Sequence, residues 1–340
     1  MQVSDFDYEL PEELIAQEPP RARGASRMLV VSRENQTFRD DFFENFPRYI
    51  RLGDCLVVND TRVFPARLHG RRNTTNGALV EILLIRALNE QETVWRALVK
   101  PGKRVRAGDR IIFDEPYDAE VLSESDYGER TLRFTANESI PELVERLGET
   151  PLPPYIRRAP AAADRDRYQT VFAGRPGSVA APTAGLHFTP QILDRCRDAG
   201  AEIAHVTLHV GLGTFAPLRV KQVSDIRLHE EYFEIGNADA AKMRCCRRLF
   251  CVGTTSVRSV ETALLRGGLH ALKGETNLFI APGFRFRATG AMLTNFHLPQ
   301  SSLLMLVCAF AGRELTLAAY RHAVEKKYRF FSYGDCMLIE

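Results

Sequence analysis

The chain has 340 residues, of which 45% are hydrophobic, so it can bury a sizeable core and a largely disordered state is excluded. The longest apolar run, 303–311, is far shorter than the roughly 20 residues that a bilayer needs, and the first residues lack the pattern of an export signal. We therefore expect a soluble, cytoplasmic protein without membrane contact. Seven cysteines without a C-x-x-C pair predict reduced, mostly buried thiols.

The formal charge of +2 is distributed unevenly along the chain. Residues 1–69 carry 9 basic and 12 acidic side chains, residues 70–150 carry 12 and 15, and residues 151–340 carry 24 and 16. The net charges of the three parts are therefore −3, −3 and +8. A basic surplus in one part is what a polyanion-binding face needs, although solvated surface charge gives the same count.

The predicted elements, taken in chain order, alternate between strands and helices except between about residues 66 and 135. Strands are predicted first at 28–31 and 55–58. Only short β-like segments follow, separated by turn signals such as Pro101-Gly102 and Gly108-Asp109; they lie at 78–86, 93–99, 110–113, 119–122 and 131–134. This stretch predicts a small antiparallel barrel inserted into another domain.

Strand-turn-helix units return after the stretch of short strands. They comprise strands at 203–210 and 250–252, a helix at 256–266, a strand at 277–280, helices at 302–311 and 315–328, and a strand at 336–339. The predicted fold class is α/β, with a main α/β domain interrupted by an inserted small antiparallel β-barrel domain. We assign residues 1–67 and 151–340 to the discontinuous α/β catalytic domain and 68–150 to the barrel, with the Pro-rich segment 150–155 as the return linker.

One predicted strand carries two histidines on a single face. Along 203–210, alternation places His205, Thr207 and His209 opposite an apolar face. The apolar face is expected in the core and the polar face at a site, although histidines that only pack and hydrogen-bond are the alternative. No metal is expected, because no third close ligand or H-E-x-x-H motif accompanies them.

Two glycine-containing turns follow predicted strands. Residues 211–216 match G-x-G-x-x-A, but Pro217 follows and no helix is predicted there, so a close backbone approach to a ligand or a plain turn is favoured over a dinucleotide site. The turn 253–256 leads into a helix that carries Arg258. Free N–H groups, hydroxyls and a guanidinium suit a carboxylate or phosphate, and an ordinary helix cap with a surface arginine is equally consistent.

Two polar loops also lie beside apolar segments. Residues 59–62 follow a buried-looking strand, and 182–187 precede a helix that Thr189 caps, with Pro190 in its first turn. Ligands of open α/β sheets bind at strand ends, so both loops are candidate site elements.

Long motifs spread over nearly the whole chain resemble one enzyme family. They are Leu-Gly-Asp at 52–54, Val-Asn-Asp-Thr-Arg-Val at 58–63, Pro-Ala-Arg-Leu at 65–68, the run 177–189, Leu-His-Val-Gly-Leu-Gly-Thr-Phe at 208–215, Val-Gly-Thr-Thr-Ser-Val-Arg at 252–258, Thr-Asn-Phe-His-Leu-Pro at 294–299 and Tyr-Gly-Asp at 333–335. The sequence resembles the S-adenosylmethionine:tRNA ribosyltransferase-isomerase family of queuosine biosynthesis. The resemblance implies an α/β domain interrupted by a β-barrel. It also implies transfer and isomerisation of the ribosyl moiety of S-adenosylmethionine onto 7-aminomethyl-7-deazaguanine at the tRNA wobble position. The expected products are epoxyqueuosine-tRNA, adenine and methionine.

The implied reaction needs a base that removes a proton from the 5′ carbon beside the sulfonium. We favour His209, with His229 and His297 as rivals, and expect Glu231 or Asp60 to protonate adenine or steady the sulfonium. Arg258, Thr254 and Thr255 are expected to hold the methionine carboxylate. Further substrate-binding residues implied by the motifs are Asn59, Arg62, Arg67, Thr183, Gly185, His187, Gly211, Gly213, Thr214 and Asn295. The partners implied are S-adenosylmethionine as co-substrate and a tRNA carrying the modified base in its anticodon, with no other cofactor and a monomer as the working hypothesis.

The chain departs from the family pattern at two positions. Family members often have a histidine where this chain has Ile226 and an aspartate where it has Gly290. Because the histidine is missing here, it is not expected to be essential in the family. Two other functions stay open. A methyltransferase would use the same donor but lacks a convincing glycine-rich loop here, and a non-catalytic RNA-binding protein would use only a basic face but lacks an RRM-type motif. Phosphate contacts are expected from Arg157, Arg158, Arg247 and Arg248.

Overall fold

The computed structural model describes residues 1–74, 77–113, 117–125, 128–135, 139–211, 218 and 220–340. The strands in these residues are β1 (Arg27–Ser32), β2 (Thr37–Phe42), β3 (Asp54–Asn59), β4 (Thr61–Val63), β5 (Arg67–Arg72), β6 (Leu79–Ala87), β7 (Val94–Lys100), β8 (Arg110–Ile112), β9 (Asp118–Glu124), β10 (Glu129–Thr135), β11 (Arg175–Ser178), β12 (Glu202–Leu208), β13 (Glu231–Ile235), β14 (Arg248–Val252), β15 (Leu272–Thr276), β16 (Thr289–Asn295) and β17 (Cys336–Ile339). The α-helices are α1 (Ile140–Leu147), α2 (Asp164–Arg167), α3 (Pro190–Asp198), α4 (Asn237–Cys245), α5 (Gly253–Leu265), α6 (Ser302–Ala311) and α7 (Arg313–Glu325).

A large mixed sheet dominates the described part of the chain, with its nine strands in the order β15-β13-β12-β3-β14-β16-β17-β1-β2. The central strands β12, β3, β14 and β16 are parallel neighbours. Their carboxyl ends therefore meet at one edge of the sheet, which is where open α/β sheets bind ligands. The residues that follow these strands include several of the site residues predicted from the sequence, among them Asp60, His209, Thr254 and His297.

Strand β3 shows why the sheet is buried on both faces. All six of its residues are buried. Cys55 and Val57 pack into one apolar cluster with α5, α6 and α7, whereas Leu56 and Val58 pack into a second cluster with α3 and the short helix Phe43–Tyr49. Because side chains alternate between faces, a continuous apolar strand is what a parallel sheet covered on both sides requires.

Strands β5 to β10 form a closed antiparallel barrel in the order β10-β7-β6-β5-β8-β9, around an apolar core that Ala66 and Val179 join from outside the barrel. The α/β fold with an inserted barrel is therefore confirmed. Five of its strands, β6 to β10, lie at the predicted segments. The sequence analysis missed β5, since its residues Arg-Leu-His-Gly-Arg-Arg bury only Leu68 and Gly70. A Cβ atom at Gly70 would lie 2.7 Å from the Ile111 side chain, so this position needs a glycine for close strand packing.

The predicted strand at 277–280 is wrong. Strand β15 ends at Thr276, and the next residues take no regular structure. Side chains bind the backbone there: the Leu278 N–H donates to the Thr276 hydroxyl at 3.2 Å, and the Leu278 carbonyl accepts from Arg258 Nε at 3.1 Å. These contacts replace the hydrogen bonds that a strand neighbour would supply.

Helix α5 begins at Gly253, three residues before the predicted start. Gly253 has a φ of +85°, a backbone conformation that glycine adopts without strain, and it lets the chain turn directly from β14 into the helix. The residues expected to form a turn are therefore the first turn of α5. The predicted cap of α3 is confirmed, because the Thr189 hydroxyl accepts from the Ile192 N–H at 3.2 Å.

All seven cysteines are free thiols, and most are buried. No single helix within the described ranges has the length and apolar composition to cross a membrane. Only α6 and α7 together meet that test of length and composition, and they are bent by 116°.

Candidate active site

A pocket opens at the carboxyl ends of β14 and β16, and we call it the strand-end pocket. Its lining includes Tyr155, Thr183, Val210, Gly253, Thr254, Thr255, Asn295, His297 and Ser332. Helix α5 contributes its first turn, and no side chain caps that end of the helix. The first N–H groups of a helix lack partners within the helix and carry a partial positive charge. The pocket therefore combines hydroxyl groups with an anion-binding helix end.

Asn295 is held in the pocket wall by hydrogen bonds on both ends of its amide. Its Nδ2 donates to the Phe331 carbonyl at 2.8 Å, and its Oδ1 accepts from His187 Nε2 at 3.2 Å. His187 Nδ1 in turn accepts from the Ser26 hydroxyl at 2.8 Å. Burial lowers the pKa of His187 to about 4, so its ring is neutral at physiological pH. His187, expected to bind substrate, is thus placed behind Asn295 with both ring nitrogens bound by protein.

His297 faces the same pocket and is fixed from several sides. Its ring Nε2 lies 2.8 Å from the Thr294 hydroxyl. Its backbone N–H donates to the Tyr320 hydroxyl at 3.1 Å, and its backbone carbonyl accepts from the Tyr8 hydroxyl at 2.5 Å. Burial lowers the pKa of His297 to about 3. The imidazole is therefore neutral, and Thr294 occupies its Nε2 atom.

His209 lies just beyond β12 on the face opposite the apolar residues of that strand. Its Nδ1 lies 2.7 Å from the Thr61 hydroxyl, and its ring stacks on Tyr232 with centroids 5.5 Å apart. A Cβ atom at Gly177 would lie 2.7 Å from His209 Nε2, so only a glycine can pack this closely against the ring. Burial, with a smaller effect of the Arg175 charge, lowers the pKa of His209 to about 4. Its ring is neutral and able to accept a proton.

Asp60 belongs to the same polar cluster as His209. Its Oδ1 accepts from the Thr207 hydroxyl at 2.6 Å, and its Oδ2 lies 3.8 Å from Arg175 Nε. Arg175 also pairs with Glu234 at 2.7 Å. Burial raises the pKa of Asp60, and the hydrogen bond from Thr207 opposes that rise. Asp60 is therefore placed where it could exchange a proton more easily than an exposed aspartate.

Glu231 and Arg258 form a buried ion pair instead of lining the strand-end pocket. Arg258 Nη1 donates to Glu231 Oε2, and Glu231 Oε1 accepts from the Gly211 N–H at 2.8 Å. The side chains of Arg258 and Glu231 are 4% and 6% exposed. Arg258 Nη2 is buried without a hydrogen-bond partner in the described ranges. The pair fixes the start of the glycine turn at Gly211, whereas Gly213 and Thr214 lie outside the described residues.

Asn59 joins the ends of two central strands. Its Nδ2 donates to the Leu208 carbonyl at 3.0 Å, and its Oδ1 accepts from the Leu208 N–H at 3.0 Å. Gly185 has a packing role, because a Cβ atom there would lie 2.7 Å from the side chains of Phe172 and Thr170. Both residues shape the loops of the site from behind.

Three predicted site residues lie outside these clusters. His229 is exposed in the segment before β13, and Arg62 is exposed on β4. Arg67 begins the barrel strand β5, where it donates to the Leu152 carbonyl at 3.1 Å and lies 3.7 Å from Glu81. The structure therefore groups Thr183, Thr254, Thr255, Asn295 and His297 in one pocket and His209 with Asp60 in another cluster.

The sequence analysis missed several residues that shape these clusters. Tyr155 and Ser332 line the strand-end pocket, and their hydroxyls lie 2.6 Å apart. Thr61 and Gly177 flank His209. Thr61 and Gly177 lie inside quoted motifs, so the signal was present, but contacts between distant segments were needed to recognise their roles. No cluster of three or more histidine, cysteine or acidic residues suited to a metal occurs in the part of the chain that the structure describes.

Local packing accounts for the two departures from the family pattern. Ile226 is buried in the apolar cluster that also contains Val223, so its side chain packs in the core. At Gly290 an added Cβ atom would lie 2.6 Å from Arg248 Cγ. Arg248 is held there by Asp54, with Nη2 2.6 Å from Oδ2, so the space next to Gly290 is occupied.

Comparison with known proteins identifies the family. The family described as "Queuosine biosynthesis protein" matches residues 3–339. The chain belongs to this queuosine biosynthesis family. One relative, the S-adenosylmethionine:tRNA ribosyltransferase-isomerase of Solibacter usitatus, is 53% identical over the full length of both chains. The enzyme of the same name from Carboxydothermus hydrogenoformans is 49% identical, again over the full length of both.

A solved structure extends the likeness of this queuosine biosynthesis family member to three dimensions. The crystal structure of the S-adenosylmethionine tRNA ribosyltransferase from Thermotoga maritima aligns with a TM-score of 0.57 and 38% sequence identity. The alignment covers 99% of this chain and all of that chain. The likeness therefore includes both the α/β part and the barrel.

Proposed function

We propose that the protein transfers and isomerises the ribosyl moiety of S-adenosylmethionine onto 7-aminomethyl-7-deazaguanine at the wobble position of a tRNA. The products are epoxyqueuosine-tRNA, adenine and methionine. The observation that carries this proposal is full-length similarity at about half identity to relatives that bear this enzyme name. S-adenosylmethionine and the tRNA are the two substrates, and a methyltransferase or a non-catalytic RNA-binding protein is not favoured.

The strand-end pocket is our candidate for the donor site. It offers the N–H groups of the first turn of α5 and the hydroxyls of Thr254 and Thr255. The Thr255 hydroxyl has no hydrogen-bond partner in the described ranges. These groups suit the methionine carboxylate of the donor. We assign the carboxylate to them and give Arg258 a supporting part, because its guanidinium is already paired with Glu231.

His209 is our candidate for the base that removes the 5′ proton. Only a neutral imidazole can accept a proton, and the pKa of His209 is lowered to about 4. Thr61 engages Nδ1, while Nε2 lies next to Gly177 and has no hydrogen-bond partner among the described residues. Of the rivals, His297 is neutral as well, but its Nε2 is bound to Thr294, and His229 is exposed.

The donor's sulfonium makes this chemistry possible. Removal of the 5′ proton leaves an electron pair next to the positive sulfur, which stabilises it electrostatically. Adenine is then lost, the aminomethyl nitrogen of the base attacks, and methionine departs as the epoxide closes. Asp60, whose pKa is raised by burial, is our candidate proton donor to adenine.

Product analysis tests this function. Incubation with S-adenosylmethionine and a tRNA carrying the aminomethyl base should release adenine and methionine in equal amounts, as measured by mass spectrometry. S-adenosylhomocysteine should not replace the donor, because a neutral thioether stabilises a neighbouring carbanion poorly. Formation of S-adenosylhomocysteine from the donor would show methyl transfer, and an unconsumed donor with competent tRNA would leave only RNA binding.

A further inference from the structure

A second groove lies beside the point where the chain enters and leaves the barrel, and we call it the barrel groove. Arg62, Phe64 and Pro65 line it from the segment before β5. Glu145 of α1 and residues between 165 and 173 complete the lining. None of these residues lines the strand-end pocket.

The barrel groove contains arginines that carboxylates do not fully neutralise. Arg62 is exposed, and its side chain makes no hydrogen bond or ion pair with any residue that the structure describes. Arg23 donates only to backbone carbonyls, those of Gln169 at 2.8 Å, Leu186 at 3.2 Å and Asp166 at 3.1 Å. Arg62 therefore presents all its donors to an incoming anion, and Arg23 adds positive potential behind it.

The formal charges of the other charged residues of the groove balance one another. Arg165 pairs with Glu145 at 3.0 Å, and both side chains are more than half exposed. Exposed pairs of this kind are weak, so Arg165 can exchange its partner for a phosphate. Asp166 is the second carboxylate in the lining, which leaves three arginines against two acidic residues.

Thr170 provides an independent sign of an unfilled polar position. It lines the groove, its side chain is 6% exposed, and its hydroxyl has no hydrogen-bond partner within the described residues. Buried hydroxyls nearly always have a partner, so this one marks an unsatisfied polar position in the groove wall.

The arginines expected from the sequence to contact phosphate are mostly engaged elsewhere. Arg158 forms two hydrogen bonds with Asp164, at 2.6 and 2.8 Å, and Arg157 pairs with Glu12. Arg248 is paired with Asp54 and is 15% exposed. Of the four, Arg247 alone is exposed without a described ion pair. Of the four, Arg158 and Arg248 are therefore committed to buried carboxylates, whereas Arg157 and Arg247 remain exposed.

We propose that the barrel groove binds the sugar-phosphate backbone of the tRNA substrate, with Arg62 contacting a phosphate directly. This inference rests on the proposed function for the identity of the RNA. A guanidinium binds two phosphate oxygens through parallel hydrogen bonds, and Arg62 is the groove residue whose donors are unused. Such contacts orient the RNA without reading its sequence. The groove thus positions the tRNA, and the aminomethyl base is selected elsewhere.

Charge reversal of Arg62 tests the proposal. The probe is an anticodon stem-loop RNA carrying 7-aminomethyl-7-deazaguanine, with binding measured by fluorescence anisotropy between about 50 and 200 mM KCl. Arg62→Glu should weaken RNA binding about 10-fold or more at the lower salt. It should also reduce the slope of log affinity against log salt by about 0.7 to 0.9, the value for one lost phosphate contact. The dissociation constant for S-adenosylmethionine, from calorimetry, should stay unchanged.

Arg321→Glu is the matched control, because Arg321 is an exposed arginine of α7 outside both pockets. Circular dichroism checks that the variants fold. If Arg62→Glu is unfolded, Arg62→Gln replaces it and should give the same reduction in the slope of log affinity against log salt. Equal RNA affinity and slope for the Arg62 and Arg321 variants would overturn the proposal. So would a loss of S-adenosylmethionine affinity in the Arg62 variant as large as its loss of RNA affinity. Adenine release by the unaltered protein is measured separately. A failure of the proposed function is thereby distinguished from a failure of the proposal that the barrel groove binds tRNA.

Discussion

His209 is hydrogen-bonded through one ring nitrogen, and the other has no hydrogen-bond partner among the residues that the structure describes. The Thr61 hydroxyl, 2.7 Å from Nδ1, fixes the orientation of the ring, while Gly177 packs against the edge that carries Nε2 without hydrogen-bonding to it. A proton acceptor needs this arrangement, because the nitrogen that reacts must reach its substrate while the other holds the ring in place. The charged groups around it are Arg175 and Glu234, with Tyr232 stacked on the ring.

Replacing His209 tests its role as the base. His209→Asn should reduce kcat by about 100-fold or more, the usual loss for a general base, while donor binding and the melting temperature change little. His229→Asn is the control, and it should retain near-normal turnover because His229 is exposed and outside both clusters.

The pH profile of kcat/KM adds a second measurement on His209. Its pKa is lowered to about 4, so the reactive neutral form is lost only as pH falls towards 4. Activity limited by this group should therefore be flat from pH 6 to 8. Near-normal turnover of His209→Asn would transfer the role to His297, which lines the strand-end pocket.

At the scale of elements, Asn59 connects β3 to β12 where their backbone pairing ends. The backbone register stops at Val206 opposite Asn59, and beyond it the Asn59 amide binds both the N–H and the carbonyl of Leu208. This side chain extends the pairing by two residues, from Val206 to Leu208, next to His209. It therefore sets the position of the strand end that carries the candidate base.

Asn59→Ala should lower the free energy of unfolding by about 2 to 4 kcal/mol, because it removes the partner of three buried backbone groups, the N–H and carbonyl of Leu208 and the N–H of Thr61. Asn237→Ala is the control, since Asn237 is exposed at the start of α4, and its change should stay within about 0.5 kcal/mol. Urea denaturation of both variants gives the comparison. Similar stability of the two would contradict a bridging role for Asn59.

Elements with a clear local period were predictable from the sequence, and contacts between distant segments were not. The bounds of α6 and β17 agree with the prediction because continuous apolar residues mark both. Strand β5 was not predicted, because its charged residues mask the alternation of apolar and polar side chains. The motif 252–258 correctly indicated a helix end beside a pocket. It could not show that Arg258 turns to Glu231, since that pairing joins positions 27 residues apart in different elements.

The whole molecule is built so that the barrel enters and leaves the α/β part at one place. Arg67 and Glu149 form an antiparallel bridge, with the two N–H groups donating to the opposite carbonyls at 3.3 and 2.8 Å. Most of the barrel's apolar core also comes from residues 68–150, with Ala66 and Val179 joining it from the α/β part. These features support our proposal that residues 68–150 form a domain separate from residues 1–67 and 151–340.

An internal deletion tests this division. A variant in which a short glycine-rich linker replaces residues 69–147 should fold, because the bridged ends of the barrel are already adjacent. It should give a cooperative melting transition and retain S-adenosylmethionine binding by calorimetry. It should also still bind the RNA, because the groove arginines Arg23, Arg62 and Arg165 all lie outside the deleted residues. A variant that is soluble only as an aggregate, or that loses donor binding, would show that the two parts depend on each other.

Strand β17 has a consequence for the order in which the protein can form during synthesis. It lies between β16 and β1, and Met28 pairs with Cys336. A ribosome adds about 5 to 20 residues per second, so β1 is made many seconds before the strand that joins it to the rest of the sheet. Until then β1 and β2 can pair only with each other, and one backbone edge of β1 stays open to other chains. Completion of the central sheet is therefore a late, long-range event, and such non-local closure is intrinsically slow.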